Sequence, residues 1–158
     1  MPVHNIEPLY NNESRILILG SFPSVKSRET KFFYGHPQNR FWKIIVAIYD
    51  EKLPVTIEEK KDIILRNHLA LWDVIKSCDI DGSSDSSIRN VKANDLNRIL
   101  DQVKIEKICV NGKTAEKLYR KYLEEKTGRK AIYLPSSSPA NASFSLEKLV
   151  EYWKKVLR

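Results

Sequence analysis

Phe32-Phe33-Tyr34-Gly35-His36-Pro37-Gln38-Asn39-Arg40-Phe41-Trp42 places five aromatics, two carboxamides, a histidine and an arginine in eleven residues. Aromatic faces stack on bases, carboxamides read base edges, and a guanidinium contacts phosphate. Phe41 and Trp42 fit the apolar face of a following helix, whereas Tyr34 and Asn39 stand before it. Asn39 therefore has two readings: a carboxamide aimed at a ligand, or an N-cap for a helix starting at Arg40. Tyr34 is either a stacking face or a partly packed core ring.

Two further loops carry comparable chemistry. Gly20-Ser21-Phe22-Pro23-Ser24-Val25-Lys26-Ser27 follows a short apolar run, and glycine at its start lets the backbone approach a ligand closely. It is not a phosphate-binding loop, because Gly-x-x-x-x-Gly-Lys and Gly-x-Gly-x-x-Gly are both absent. Pro135-Ser136-Ser137-Ser138-Pro139-Ala140-Asn141 is small, polar and stiffened by two prolines. Its hydroxyls and N–H groups suit phosphate contacts, and equally suit a plain connector. A polar stretch over 77–91 lacks either period and reads as a long loop. Asp85 within it either contacts a ligand or caps nearby backbone. Cys78 and Cys109 lie apart in apolar surroundings, and His4, His36 and His68 lack paired metal-ligand spacing. Neither a metal nor a cofactor is expected.

The elements that must position these loops follow from apolar periodicity. Strands are predicted over 15–20, 69–75, 107–112 and 131–134. A helix is predicted over 40–50, from Phe41, Ile44, Ile45 and Ile48. A second, to residue 67, starts at the Thr56/Glu59 capping box. Asn94 is expected to cap a helix carrying Leu96, Ile99, Leu100 and Val103. Thr114 opens another, through Leu118, Tyr122 and Leu123 toward Gly128. A last helix follows Ser145, with Phe144 and Leu149 as a staple. Near-continuous apolar strands alternating with helices predict an α/β fold, a three-layer α/β/α sandwich with a central, mainly parallel four-stranded sheet. Ligands of such sheets bind beyond the carboxyl ends of the strands, where the loops over 20–39, 77–91 and 135–144 emerge.

At 158 residues, 42% hydrophobic and 30% charged, the chain fits a single domain over 1–158. No apolar run is long enough to span a bilayer, and Met1-Pro2-Val3-His4-Asn5 lacks a leader pattern, so a cytoplasmic location is expected. Net charge is +7, and residues 101–158 hold 13 basic against 7 acidic side chains. A basic surface draws polyanions, nucleic acid among them, although lysine also serves solubility alone.

Taken together, the segments resemble the uracil-DNA glycosylase superfamily. His36-Pro37-Gln38-Asn39-Arg40-Phe41-Trp42 is similar to the matching stretch of mismatch-specific uracil/thymine glycosylases. Gly20-Ser21-Phe22-Pro23-Ser24, His36-Pro37-Gln38-Asn39, Gly82-Ser83-Ser84-Asp85-Ser86-Ser87-Ile88 and Ser138-Pro139-Ala140-Asn141, in that order, look most like the hypoxanthine-DNA glycosylase (DNA-deoxyinosine glycosylase) branch. The likeness runs from Ile16 to Trp153.

The resemblance implies a monofunctional glycosylase, without β-lyase activity, that acts as a monomer in base-excision repair. Such an enzyme flips a deaminated base, hypoxanthine first among them, out of DNA and hydrolyses its glycosidic bond. Phe22 stands where mismatch-type enzymes carry a catalytic Asn, and Ser136 where others carry a His, so both customary side chains are missing. The catalytic position then falls to Asn39, to hold the attacking water or to hydrogen-bond the departing base. The implied base pocket comprises Gly20, Ser21, Phe22, Pro23, Tyr34, Asp73 and Asp85. Ser24, Arg40, Ser136, Ser137, Ser138, Pro139, Ala140 and Asn141 would face the DNA backbone and minor groove, Ala140 as a small wedge, with charge from Lys26, Arg28 and Lys43. Two alternatives stay open: a uracil- or mismatch-specific glycosylase, and a catalytically silent module that binds lesion-bearing DNA.

Overall fold

The computed structural model describes residues 6–82 and 84–158. The leader reading at residues 1–5 and Ser83 of the polar motif lie outside the described residues. Four parallel strands, β1 (Ile16–Gly20), β2 (Leu69–Asp73), β5 (Lys107–Asn111) and β6 (Ile132–Leu134), form one sheet in the order β2-β1-β5-β6. β1 and β2 pair from Ile16↔Leu69 to Gly20↔Asp73, which brings the ends of both strands level. Helices cover both faces, giving the expected three-layer sandwich. α2 (Phe41–Tyr49) packs against α7 (Leu146–Leu157), where the Phe41 and Trp153 rings meet edge-on at 5.9 Å. α3 (Ile57–Arg66) lies on β2, and α5 (Lys113–Tyr122) on β5.

Burial on two sides explains why these strands read as unbroken apolar runs: Leu17, Ile18, Leu19, Leu69, Ala70 and Leu71 are all fully buried. The caps follow the local sequence. Thr56 Oγ accepts from Glu59 N–H, and Glu59 returns the bond to Thr56 N–H. Ser145 Oγ caps α7 by accepting from Lys148 N–H.

Five segments depart from the expected layout. The loop over 20–39 contains α1 (Val25–Thr30), held by Ser24 Oγ accepting from Ser27 N–H. With a single apolar residue, Val25, it carries no periodic signal. The apolar run over 69–75 is not one strand. After Asp73 the chain turns, with Val74 and Ile75 N–H donating to the Gly20 and Ser21 carbonyls, and continues as β3 (Ile75–Asp79). β3 pairs antiparallel with β4 (Arg89–Ala93) through two register shifts, so most of the expected loop over 77–91 is a hairpin, tipped by a 3-10 turn at Asp85–Ser87. Its strands are polar and irregular, which removes the period-two signature.

Asn94 does not cap. Its Nδ2 donates to the Asp73 carbonyl at 2.9 Å and its N–H to the Val74 carbonyl, while α4 (Asn97–Leu100) starts without a side-chain cap. The helix after Thr114 is two pieces, α5 and α6 (Glu124–Thr127).

In this strand order the chain leaves β1 toward β2 and later returns to the other side of β1 as β5. That reversal opens a crevice at the carboxyl edge, between the loops after β1 and β5.

Candidate active site

The crevice is a cleft of ≈ 310 Å³. Gly20, Ser21, Phe22, Pro23 and Ser24 supply one wall, Tyr34 and Asn39 a second, and Ser136 to Ala140 a third, with Asp73 and Asp85 completing it. Fifteen of the residues singled out from the sequence are named as site residues other than Asn39, and of these only Arg40 and Asn141 do not line the cleft. Ser27, Phe33, His36 and Asn111 line it as well and were not singled out as pocket residues. Asn111 had no signal of its own, since it closes a strand and reads as the start of an Asn-Gly turn.

Asp73, at the end of β2, is 5% exposed, and its Oδ2 has no hydrogen-bond partner among the described residues. Burial pushes its carboxyl up to about 7. A Cβ on Gly20 would stand 2.6 Å from Asp73 Oδ1, so only glycine leaves room for the carboxyl at that register position. The Tyr34 hydroxyl lies near the same point, buried and also without a partner. Burial holds the Tyr34 phenol far above the ordinary tyrosine range, Asp73 raises it further, and Asn111 partly offsets this. Tyr34 is thus a neutral donor. Its backbone sits at φ 51°, and its ring stacks on Phe41 at 4.0 Å and 15°. A non-glycine residue in that region costs on the order of 1–3 kcal/mol and is held there by its surroundings.

Asn39 stands just before α2. Its Oδ1 accepts from Phe41 N–H at 2.9 Å and from Ser137 Oγ at 2.8 Å. Its Nδ2 makes no hydrogen bond among the described residues. The N-cap position of α2 falls to Arg40, which makes no side-chain cap bond; Asn39, one residue earlier, holds the first helical N–H through its carbonyl while its NH2 group makes no such bond.

The serine loop divides by role. Ser137 is fully buried. Ser136 Oγ accepts from Ser138 N–H and Ser138 Oγ from Ala140 N–H, which shapes a turn with Pro139 and Ala140 exposed at the rim. Arg40 donates to the carbonyls of Ser138, Asn141 and Phe144 and is enclosed by the loop. Its charge therefore organises protein backbone. Asn141 Nδ2 likewise donates to the Ser136 carbonyl. Ser24 Oγ is engaged with Ser27. Arg28 donates to the Gly82 carbonyl and lies over the Phe22 ring, whereas Lys26 and Lys43 are exposed.

At the opposite lip, Ser21 Oγ donates to Asp85 Oδ1 at 3.3 Å, and desolvation raises the Asp85 carboxyl, partly offset by Ser21 and Thr114. Among the described residues no group of three or more His, Cys, Asp or Glu side chains is placed to hold a metal ion, and no helix is long and apolar enough to cross a membrane.

Comparison with known proteins adds to this geometry. The family model described as the uracil DNA glycosylase superfamily matches residues 7–157. A Methanosarcina acetivorans protein named hypoxanthine DNA glycosylase is 37% identical over 150 residues, 94% of this chain and 93% of the relative. A Methanosarcina barkeri protein of the same name is 29% identical over 160 residues, covering 100% and 99%. A solution NMR structure from Methanosarcina acetivorans, described as a candidate uracil DNA glycosylase, superposes with a TM-score of 0.83 at 34% identity, over 98% of this chain and 96% of that one.

Proposed function

The chain belongs to the uracil DNA glycosylase superfamily, and on that footing we propose that it is a monofunctional DNA glycosylase that extrudes a deaminated base, hypoxanthine first among them, and hydrolyses its glycosidic bond. One observation carries the reading. The cleft of this glycosylase fold holds two buried polar atoms without partners, Tyr34 Oη and Asp73 Oδ2. Buried polar groups are rarely left unpaired, so such a pair calls for a polar ligand. The names of the two Methanosarcina relatives support hypoxanthine as that ligand.

The chemistry follows from the lesion. Extrusion costs roughly a few kcal/mol and least for a mispaired base, and hypoxanthine opposite thymine is a mispair. Deamination also turns the purine N1 from an acceptor into an N–H donor. An ionised Asp73 carboxylate accepts that hydrogen and opposes the lone pair of adenine N1. Gly20, Ser21, Phe22 and Pro23 wall the base, and Tyr34, braced by Phe41, gives a rigid face. As the bond breaks, negative charge gathers on the leaving base. The Asn39 NH2 group donates to it, a preorganised dipole of the kind that lowers such barriers. Asn39 holds no water through its carbonyl, because both acceptor directions are taken. Ser138, Pro139 and Ala140 form the rim that meets the DNA strand. Asp85 shapes the opposite lip. Among the described residues no lysine lines the cleft, which supports hydrolysis over Schiff-base chemistry.

The proposal extends to one domain over 1–158 that works as a monomer in the compartment holding the genome, the cytoplasm on this reading. Duplexes carrying hypoxanthine, uracil, xanthine or no lesion, followed by alkaline strand scission, test the reading. Scission at hypoxanthine is expected. Scission at uracil alone would change the substrate and keep the enzyme class, whereas binding without scission of any duplex would leave a recognition module.

A further inference from the structure

We propose that Ser137 is a positioning residue for Asn39: its buried hydroxyl locks the carboxamide so that the NH2 end, not the carbonyl, faces the cleft. The inference rests on the glycosylase reading for its effect on rate, and on hydrogen-bond polarity for the locking itself.

The polarity is fixed from both ends by backbone N–H groups, which can only donate. Ser137 N–H donates to Asn111 Oδ1 at 3.0 Å, and this sets the orientation of the Asn111 amide. Asn111 Nδ2 must then donate to Ser137 Oγ, also at 3.0 Å. The hydroxyl has one hydrogen, and it is directed at Asn39 Oδ1. From the other side Phe41 N–H donates to the same oxygen. Rotating the Asn39 amide by half a turn would set NH2 against Phe41 N–H, losing that bond, and would leave the buried Ser137 hydroxyl hydrogen without its acceptor. An asparagine on an ordinary surface has no such preference. Ser137 is fully buried, so in the native protein its hydroxyl hydrogen is directed to Asn39 and not to bulk solvent.

The chain of bonds also joins three segments that meet only through the fold: the end of β5, the loop after β6 and the approach to α2. A fourth contact, Arg40 N–H to the Ser137 carbonyl at 3.0 Å, fixes the remaining polar group of Ser137. Its neighbours Ser136 and Ser138 hold local turns, so among the three serines Ser137 alone reaches Asn39.

Removing the hydroxyl leaves Asn39 held by Phe41 N–H alone, with one of the two bonds that orient its amide gone. Misplacing a reacting group in this way costs about 10- to 100-fold in rate. Single-turnover release of hypoxanthine by Ser137→Ala should fall by that factor, with affinity for the lesion duplex unchanged. Adding Ser137→Ala to Asn39→Ala should cost nothing further, because groups that act as one unit are not additive. Ser137→Cys, which keeps the volume and a weak donor, should fall between wild type and Ser137→Ala and serves if the alanine variant does not fold. An unchanged rate, or losses that multiply in the double variant, would overturn the proposal.

If wild-type protein cuts no lesion duplex, the function fails and the locking is still tested. The side-chain NH2 resonances of Asn39, assigned by their loss in Asn39→Ala, should shift and broaden in Ser137→Ala. Unchanged resonances would refute the lock.

Discussion

Asp73 faces two opposing demands. Burial raises its carboxyl from the ordinary range to about 7, so folding favours the protonated form. A group with a raised native pKa adds stability that is complete below the unfolded pKa and is lost as pH climbs to the native one. The proposed base-reading role, however, needs the ionised acceptor. Stability should therefore fall from about pH 4 to about 7, whereas excision rate should rise around pH 7, where the native carboxyl ionises. Asp73→Asn should flatten both: melting temperatures at about pH 5 and about pH 8 should differ less than in wild type, and the pH–rate profile should lose its rise. A wild-type rate that is level through neutrality would contradict the acceptor role. At this scale the sequence was informative where residue types were unusual for their place. Tyr34 and Asn39 stood out because they precede a helix they do not belong to. Asn111 did not stand out, since its use depends on Ser137, 26 residues away, and no spacing rule links a strand end to a distant loop.

The elements act mainly through what they clamp. Arg40 inserts its guanidinium among three carbonyls of the loop before α7, so a residue that reads as a phosphate contact works as a latch. Arg40→Met keeps the stem and removes the donors, and should cost about 2–4 kcal/mol in urea unfolding, as hydrogen bonds from a charged group are the stronger kind. A cost within error of zero would mean that the loop holds itself. Gly20→Ala makes a different prediction. Its added methyl meets Asp73 Oδ1, so hypoxanthine release should drop by more than the loss of stability accounts for, and restoring space with the double variant Gly20→Ala/Asp73→Gly should recover folding but not activity. Strand β1, helix α2 and the cap of α3 were legible because each rests on a local pattern. The β3–β4 hairpin was not: β2 and β3 form one apolar run in sequence, and what separates them is the pair of bonds from Val74 and Ile75 N–H to the loop after β1. A tertiary contact ends the strand there, and periodicity carries no trace of it.

Across the whole molecule, topology and charge support the proposal that the cleft meets DNA. The chain reversal at β1 gathers loops from four strands at one edge, and the basic excess lies in residues 101–158, which begin α5 beside the cleft at Lys113 and Lys117. Both lysines are exposed. Affinity for undamaged duplex should fall with salt at a slope of about −0.9 per neutralised phosphate, and Lys113→Gln should reduce that slope by about 1. A slope untouched by Lys113→Gln would direct the DNA path elsewhere. That the fold was legible at this scale owes to strand–helix alternation, while the path of the DNA was not, because net charge carries no direction. The central claim, that Asn39 in this cleft drives cleavage of a deaminated nucleotide, is tested most directly by single-turnover release of hypoxanthine from an otherwise matched duplex by wild type and Asn39→Ala. The expected result is release by wild type and a rate about 100- to 1,000-fold slower in the variant, which stays folded with only the loss of the carbonyl's bonds to Phe41 N–H and Ser137 Oγ, about 1 kcal/mol each. A folded Asn39→Ala that releases the base as fast as wild type would contradict it.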